Sequence, residues 1–205
     1  MSEHGPVAMN HEHATASRNS LPGVTGPSRS PVLPIDARAV LAEIRAAHVT
    51  HVITVPDTHQ RTLLALLARS ESPKLITVCT EDEAIGINAG LYIGGARPML
   101  LIQNNGLYAC LNTLKAIPLD ARVPTVMLIG EHGRTLSMPS REDPDRAVRM
   151  LEPTLELWGV PYYRLEGPGD LGCLQRGFTE CLENGGPLAI LIGAPLAAAS
   201  GVRIL

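Results

Sequence analysis

Three consecutive acids, Glu81, Asp82 and Glu83, follow the apolar run KLITVC and precede the small-residue segment AIGINAG. A carboxyl group exchanges protons with a nitrogen base when its surroundings bring its pKa near the working pH, so an acid at this place is a candidate for acid–base chemistry. An acid in the first turn of a helix is also favoured by the helix dipole, without any catalytic role. Both interpretations apply to each of the three acids.

Polar residues also follow other apolar runs. The four polar turns read VPDTHQ, CTEDE, IQNNG and IGEHGR, at residues 55–60, 79–83, 102–106 and 129–134. They hold most of the His, Asn, Gln and acidic side chains that could do chemistry. Asp57 or Thr58, Thr80, and Asn104 or Asn105 also suit helix N-caps, which accounts for part of this polarity in structural terms.

The longest polar connection is residues 131–146. Its His132, Arg134 and Arg141 are candidates to meet an anionic group, since arginine matches such groups with two parallel hydrogen bonds. An ordinary surface loop is the competing interpretation.

The chain lacks the common signatures of a self-contained phosphate, metal or nucleophile site. GxGxxG, GxxxxGK[ST], GxSxG and HExxH are all absent, and no metal site is predicted. The four cysteines form no CxxC pair, which predicts reduced and mostly packed thiols. A diphosphate-bearing cofactor would therefore need its phosphates to be held by another chain.

The composition is that of a globular protein. The chain has 205 residues, 45% of them hydrophobic, and a net charge of −3 without a Lys/Arg cluster, which argues against nucleic acid or an anionic membrane as a partner. No apolar run approaches the roughly 20 residues of a membrane span, and no signal-peptide core is present, so we expect a cytoplasmic protein. The composition of residues 1–34 predicts a disordered tail, and the pattern of residues 35–205 predicts a single domain.

From Ile35 onward, short Val/Ile/Leu runs alternate with helical patterns. Strands are predicted at 51–56, 74–79, 98–103, 124–129, 161–166 and 187–192, and helices at 36–48, 58–70, 82–95, 105–117, 144–158 and 169–184. This alternation predicts an α/β fold, a doubly wound, mostly parallel six-stranded sheet with helices on both faces. Ligands of such sheets bind outside the carboxyl ends of the strands, where the polar turns lie.

Three segments together carry a family resemblance. VPDTHQ, TEDEAIGINAGLYIGGARPMLLIQNNGL and VPTVMLIGEHG resemble the pyrimidine-binding domain of thiamine-diphosphate-dependent 2-oxo acid decarboxylases. More narrowly, they resemble the α subunit of sulfopyruvate decarboxylase and the matching half of phosphonopyruvate decarboxylase. The resemblance covers about residues 35–195. Asn105 stands where the family has serine, and Tyr108-Ala109 where it has Gly-Asn.

The resemblance implies roles for the residues of the polar turns. Glu81 would hydrogen-bond N1′ of the aminopyrimidine and activate thiamine diphosphate, whereas Asp82 and Glu83 suit the start of a helix. His59 would orient the substrate or donate a proton, with a merely exposed side chain as the alternative. The other implied contacts are with the cofactor for Pro56, Gln103, Asn104 and Asn105, and with the substrate for Asp57, Thr58, Gln60 and Asn105.

The resemblance also implies a partner. In the family a GDGS motif with downstream asparagines holds Mg²⁺ and the diphosphate, and this motif is missing here. We therefore expect a separate β subunit that carries GDGS, in a hetero-oligomer with at least two copies of this chain, decarboxylating sulfopyruvate or 3-phosphonopyruvate. The alternatives are a related thiamine-diphosphate synthase or lyase, a non-catalytic scaffold or regulatory module of the same fold, and an independent small-molecule-binding domain.

Overall fold

The computed structural model describes residues 33–197. The predicted tail, residues 1–34, lies almost wholly outside the described residues, so it stays a prediction. The first element begins at Ile35, where a two-residue strand, β1 (Ile35–Asp36), pairs in parallel with β8 (Leu196–Ala197). This small pair was not predicted, since two residues are too few to show a period.

A six-stranded parallel sheet forms the centre of the fold. Its strands are β2 (His51–Thr54), β3 (Lys74–Thr77), β4 (Pro98–Gln103), β5 (Thr125–Gly130), β6 (Tyr162–Leu165) and β7 (Pro187–Ile192). They lie in the order β3-β2-β4-β5-β7-β6, and every adjacent pair is parallel. The predicted fold class and all six predicted strands are confirmed, although β2 and β3 each end two residues earlier than predicted.

Eight α-helices surround the two sheets in the described part of the chain. They are α1 (Ala37–Ala46), α2 (Arg61–Leu67), α3 (Glu81–Ile93), α4 (Asn104–Ala109), α5 (Leu111–Leu114), α6 (Arg146–Arg149), α7 (Leu151–Leu157) and α8 (Cys173–Asn184). None of these helices has the length and apolar character to cross a bilayer.

Two predicted helices are broken in the structure, and in each a proline lies in the segment that follows a break. The helix predicted at 105–117 divides into α4, α5 and a π-helical segment, Lys115–Asp120, which contains Pro118. Because proline lacks an N–H group, it disrupts a regular α-helix. The helix predicted at 144–158 divides at Met150 into α6 and α7, and Pro153 lies in the first turn of α7, where its missing N–H costs no hydrogen bond.

The six-stranded sheet is buried on both faces. On one face, α1, α2 and α8 pack through side chains such as Val40, Leu63 and Phe178. On the other face, α3, α5 and α7 pack through side chains such as Ile85, Leu114 and Leu155. Burial on both faces explains why the strands read as continuous apolar runs rather than alternating ones.

The four cysteines are free thiols, as the sequence predicted. Cys79 is exposed, and the other three are buried. Burial raises the pKa of Cys110 to about 12 and the pKa values of Cys173 and Cys181 to about 11. The three buried thiols are therefore uncharged core side chains at neutral pH.

Helix α8 approaches β7 closely at Gly177. A Cβ atom added there would lie 2.9 Å from Leu188 Cδ2 and 3.2 Å from Ile190 Cδ1, both in buried side chains. We expect Gly177→Ala to lower the free energy of unfolding by about 1–3 kcal/mol through overpacking. The control is Gly86→Ala in α3, where an added Cβ meets nothing within 4 Å, and where about 0.5–1 kcal/mol of stabilisation is expected. Urea unfolding of the two variants checks this, and shifts of the same sign would contradict it.

Candidate functional site

The polar turns meet at the carboxyl edge of the sheet. Since β2 lies between β3 and β4, the chain leaves β2 toward one side and later returns on the other, which makes a topological switch point. The turn after β2 carries Asp57 and His59, and Gln103 ends β4. The strand register places Gln103 beside Gly130 at the end of β5. The turns after β2, β4 and β5 therefore share one edge.

The missing side chain of Gly130 lets the turn after β2 close over the end of β5. A Cβ atom added at Gly130 would lie 2.9 Å from His59 Cδ2, 3.0 Å from Asp57 Oδ2 and 3.0 Å from Gln60 Nε2. Three of the predicted site residues thus converge on this one position. The sequence contains Gly130 in a polar turn, but nothing local indicates which side chains would contact it.

Gln60 fixes the turn to the sheet. Its side chain is fully buried, and Nε2 donates hydrogen bonds to the carbonyl oxygens of Ile102, at 2.9 Å, and Leu128, at 3.4 Å. Because both partners are acceptors, the orientation of the amide is determined. Oε1 has no hydrogen-bond partner among the described residues. A contact of Gln60 with substrate, as predicted from the sequence, would have to use this oxygen.

Asp57 does not cap a helix, contrary to one interpretation of its position. Helix α2 begins at Arg61, and Asp57 Oδ1 instead accepts a hydrogen bond from the backbone N–H of His59 at 2.9 Å. Asp57 is 5% exposed, and its Oδ2 has no partner among the described residues, whereas Thr58 is exposed. A buried acceptor without a donor costs about 1–3 kcal/mol. The unpartnered oxygens of Asp57 and Gln60 make this edge suited to a hydrogen-bond donor.

The half-buried imidazole of His59 is held in place by the end of β7. Its Nε2 lies 3.1 Å from the carbonyl oxygen of Ile192, the last residue of β7. Burial lowers the pKa of His59 below its ordinary value, and the charge of His132 acts in the same direction. Asp57, the Ile192 hydrogen bond and Glu131 raise the pKa, but they do not outweigh burial. His59 is therefore mainly neutral at pH 7.

Glu81 is set apart from the two acids that follow it. It is the first residue of α3 and only 9% exposed, and a Cβ atom at Gly106 in α4 would lie 2.2 Å from its Oε1. Asp82 is exposed. The Glu83 carboxylate accepts a hydrogen bond from Cys79 N at 3.1 Å, while Thr80 caps α3 by accepting from Glu83 N at 3.2 Å. Glu83 thus stabilises the helix start, and the Glu81 carboxylate lies against the bare Cα of Gly106.

The side-chain amides after β4 differ in burial and in hydrogen bonding. Asn104 is fully buried: its Nδ2 donates to the carbonyl of His132 at 3.1 Å, and its Oδ1 accepts from Asn105 N at 3.0 Å. Asn104 therefore ties the turn after β4 to the turn after β5. Gln103 is half-buried and Asn105 exposed, so their amides remain accessible. Pro56, after β2, is exposed as well.

An ion-pair cluster that is buried around Glu131 and exposed at Arg141 and Glu156 lies beside this edge. Glu131, which follows β5 and is fully buried, accepts from Arg134 Nη1 at 2.7 Å, Arg164 Nη2 at 2.7 Å and Ser140 Oγ at 3.2 Å. The cluster also contains Arg141, Glu152, Glu156 and Glu166. Four carboxylates and three guanidinium groups leave one negative charge.

This cluster changes the interpretation of residues 131–146. Arg134 bonds Glu131 and Glu166, and Arg141 bonds Glu152 and Glu156, so carboxylates of this chain already balance the charge of both guanidinium groups. His132 is exposed and remains available. Sequence reasoning missed this cluster, although a charged Arg164 within an otherwise apolar strand was the signal that could have indicated it.

Glu166 shows how the cluster responds to acid. Burial alone would raise its pKa, but the hydrogen bond from Arg134 and the charge of Arg164 outweigh burial, so the pKa of Glu166 is lowered. The stabilisation from this carboxylate is therefore present above the ordinary carboxyl pKa, about 4.3, and is lost as the pH falls below it.

Comparison with solved structures defines the fold class. The chain superimposes on a benzoylformate decarboxylase from Polynucleobacter necessarius with a TM-score of 0.62 and 15% sequence identity, over 84% of this chain and 33% of that one. At this identity the likeness concerns the fold alone. The chain spans about a third of the length of that protein.

Comparison with curated sequences gives relatives of a narrower kind. The chain is 28% identical over 159 residues to the sulfopyruvate decarboxylase subunit alpha of Methanococcus maripaludis. This match covers 77% of this chain and 94% of the relative. It is 29% identical to a phosphonopyruvate decarboxylase from Streptomyces hygroscopicus over 62% of this chain and 30% of that relative. No established family profile matches the chain. The resemblance inferred from the polar turns is confirmed by these relatives.

The convergence on Gly130 predicts a steric effect. We expect Gly130→Ala to lower the free energy of unfolding by about 1–3 kcal/mol, because the new methyl group would press on three packed side chains. Gly172→Ala is the control, since a Cβ atom there meets nothing within 4 Å. Urea unfolding measures both variants. Equal stability of Gly130→Ala and the wild-type chain would mean that the turn after β2 does not close on β5.

The cluster predicts a larger effect at Glu131. Glu131→Gln leaves two largely buried guanidinium groups short of a counter-charge, so we expect a loss of about 3–5 kcal/mol in the free energy of unfolding. The matched control is Asp120→Asn, which breaks an exposed ion pair with Lys115, and should cost no more than about 1 kcal/mol. Urea unfolding at neutral pH compares the two. Similar small losses in both variants would show that the cluster does not stabilise the fold.

Proposed function

We propose that this chain is the pyrimidine-binding subunit of a two-component, thiamine-diphosphate-dependent 2-oxo acid decarboxylase. Its proposed substrates are sulfopyruvate and 3-phosphonopyruvate. The observation that carries the proposal is the nearly buried Glu81 carboxylate against the bare Cα of Gly106, at the switch-point edge. The likeness to a protein named sulfopyruvate decarboxylase subunit alpha, over 94% of that protein's length, supports it.

The residues present fit the pyrimidine half of this cofactor. The absent side chain of Gly106 leaves the space that the Glu81 carboxylate occupies, so this acid is held in a nearly buried position against the backbone. A carboxyl group that is sheltered from water can share a proton with a ring nitrogen. When bound, thiamine diphosphate supplies the nucleophilic carbon and the electron sink that decarboxylation of a 2-oxo acid needs.

In this proposal, residues of this chain bind and orient the cofactor. Glu81 would hold a proton shared with N1′ of the aminopyrimidine ring of the bound cofactor. Pro56, Gln103, Asn104 and Asn105 line the cofactor pocket in this proposal, and Asn104 also keeps the turns after β4 and β5 at a fixed separation.

The turn after β2 faces the substrate in this proposal. Asp57, Thr58 and Gln60, with Asn105, contact the substrate, and the Thr58 hydroxyl and the Asn105 amide supply donors for its anionic oxygens. His59 orients the substrate or moves a proton to or from it. Because Arg134 and Arg141 are engaged in ion pairs, recognition of the substrate's second anionic group falls to His132 or to cationic groups of a partner.

A partner subunit supplies the rest of the active site in this account. Within residues 33–197, no group of three His, Cys, Asp or Glu side chains gathers to hold a metal ion. We propose a β subunit with a GDGS motif that holds Mg²⁺ and the diphosphate, in a hetero-oligomer with at least two copies of this chain. The naming of one relative as a subunit alpha, and the 30% share of a phosphonopyruvate decarboxylase that this chain covers, support a divided enzyme.

Replacement of Glu81 tests the proposal. In the complex of this chain with its partner, thiamine diphosphate and Mg²⁺, we expect Glu81→Gln to lower kcat for CO₂ release at least about 100-fold, because an amide cannot exchange the proton. Glu83→Gln is the control, since a glutamine can still accept the hydrogen bond from Cys79 N.

The outcomes separate the candidate functions. Full activity of Glu81→Gln would exclude Glu81 as the activating group. A wild-type complex that binds the cofactor but releases no CO₂ from either substrate would favour a synthase or lyase. A chain that never binds the cofactor, alone or with its partner, would favour a scaffold.

A further inference from the structure

The carbonyl oxygen of Ile192 is shared between the backbone and the candidate catalytic histidine. It accepts from Glu131 N at 3.0 Å and lies 3.1 Å from His59 Nε2. A carbonyl oxygen only accepts hydrogen bonds, so Nε2 must carry the hydrogen. In the neutral ring, the other nitrogen, Nδ1, then has a free lone pair.

The packing of the ring determines where that lone pair lies. The Cδ2 atom, which neighbours Nε2 in the ring, faces Gly130, where an added Cβ atom would be 2.9 Å away. The edge formed by Cδ2 and Nε2 is thus turned toward the ends of β5 and β7, and Nδ1 lies on the opposite edge. Within residues 33–197, His59 uses its backbone N–H on Asp57 and its Nε2 on Ile192, which leaves Nδ1 open.

The Asp57 carboxylate lies on the other side of the ring from Nδ1. Its buried Oδ2 would be 3.0 Å from the same added Cβ atom at Gly130 that Cδ2 faces. Nδ1, on the opposite edge, is therefore the ring nitrogen that is left to a ligand.

We propose that His59 acts through Nδ1, with the Ile192 carbonyl as the group that positions the ring and sets its tautomer. This deepens the proposed function and rests on it for the identity of the ligand. Nδ1 takes up a proton from solvent and delivers it to the reacting carbon of the substrate, because decarboxylation replaces the carboxylate by hydrogen. The backbone N–H of Glu131 also bonds the Ile192 carbonyl and so helps to hold it in place.

The tautomer can be measured without cofactor, substrate or partner. In the full-length chain labelled with ¹⁵N-histidine, long-range ¹H–¹⁵N NMR spectra distinguish a protonated from an unprotonated ring nitrogen. The signals of His59 are identified by their absence in His59→Gln, with His132→Gln as the control for the neighbouring ring. We expect Nε2 protonated and Nδ1 unprotonated at pH 7 and above. A ring protonated at Nδ1 would overturn the proposal.

A matched variant tests the role of Nδ1 in turnover. In His59→Gln the amide reaches the position of Nε2 and can still bond Ile192, but no nitrogen that exchanges a proton remains at the position of Nδ1. We expect kcat of His59→Gln in the complex to fall at least about 10-fold with little change in KM, and wild-type kcat in this variant would overturn the proposal. If the wild-type complex itself is inactive, the proposed function fails, and the NMR result still decides the tautomer.

Discussion

The candidate site depends on the absence of a side chain at Gly130, where the central strand β5 ends. Only a bare Cα there allows Asp57, His59 and Gln60 to approach within about van der Waals distance of the strand. Gln60 then bonds carbonyl groups of two neighbouring strands, and His59 bonds the end of a third. The turn after β2 is thereby held by the sheet itself, and rigid strand ends keep its polar atoms in place.

Glu131, which directly follows β5, imposes a second constraint on the site. Glu131 uses its backbone N–H to hold the Ile192 carbonyl and its carboxylate to hold two arginines. The same residue therefore links the candidate site to the ion-pair cluster that fixes residues 131–146. The arginines of that segment are engaged in ion pairs and leave a net negative cluster, so a divided enzyme for a doubly anionic substrate would draw positive charge from its partner.

The sequence predicted the fold well because its main signal is local. A parallel strand covered on both faces is a short apolar run, and all six runs are strands, although Val55 and Val78 lie beyond the strand ends. The role of Glu83 at the helix start was also predictable, since a cap involves neighbours in sequence. The contacts of Gln60 and the pairing of Glu131 with Arg164 join residues far apart in the chain, and no local pattern encodes them.

The central claim is that this chain forms half of a decarboxylase, and CO₂ release tests it most directly. The complex that this chain forms in its native cells should be purified, its components identified by mass spectrometry, and its activity measured with sulfopyruvate and 3-phosphonopyruvate beside the chain alone. We expect a stoichiometric partner with a GDGS motif, CO₂ release that requires thiamine diphosphate and Mg²⁺, and an inactive isolated chain. A complex without such a partner and without CO₂ release from either substrate would contradict the account.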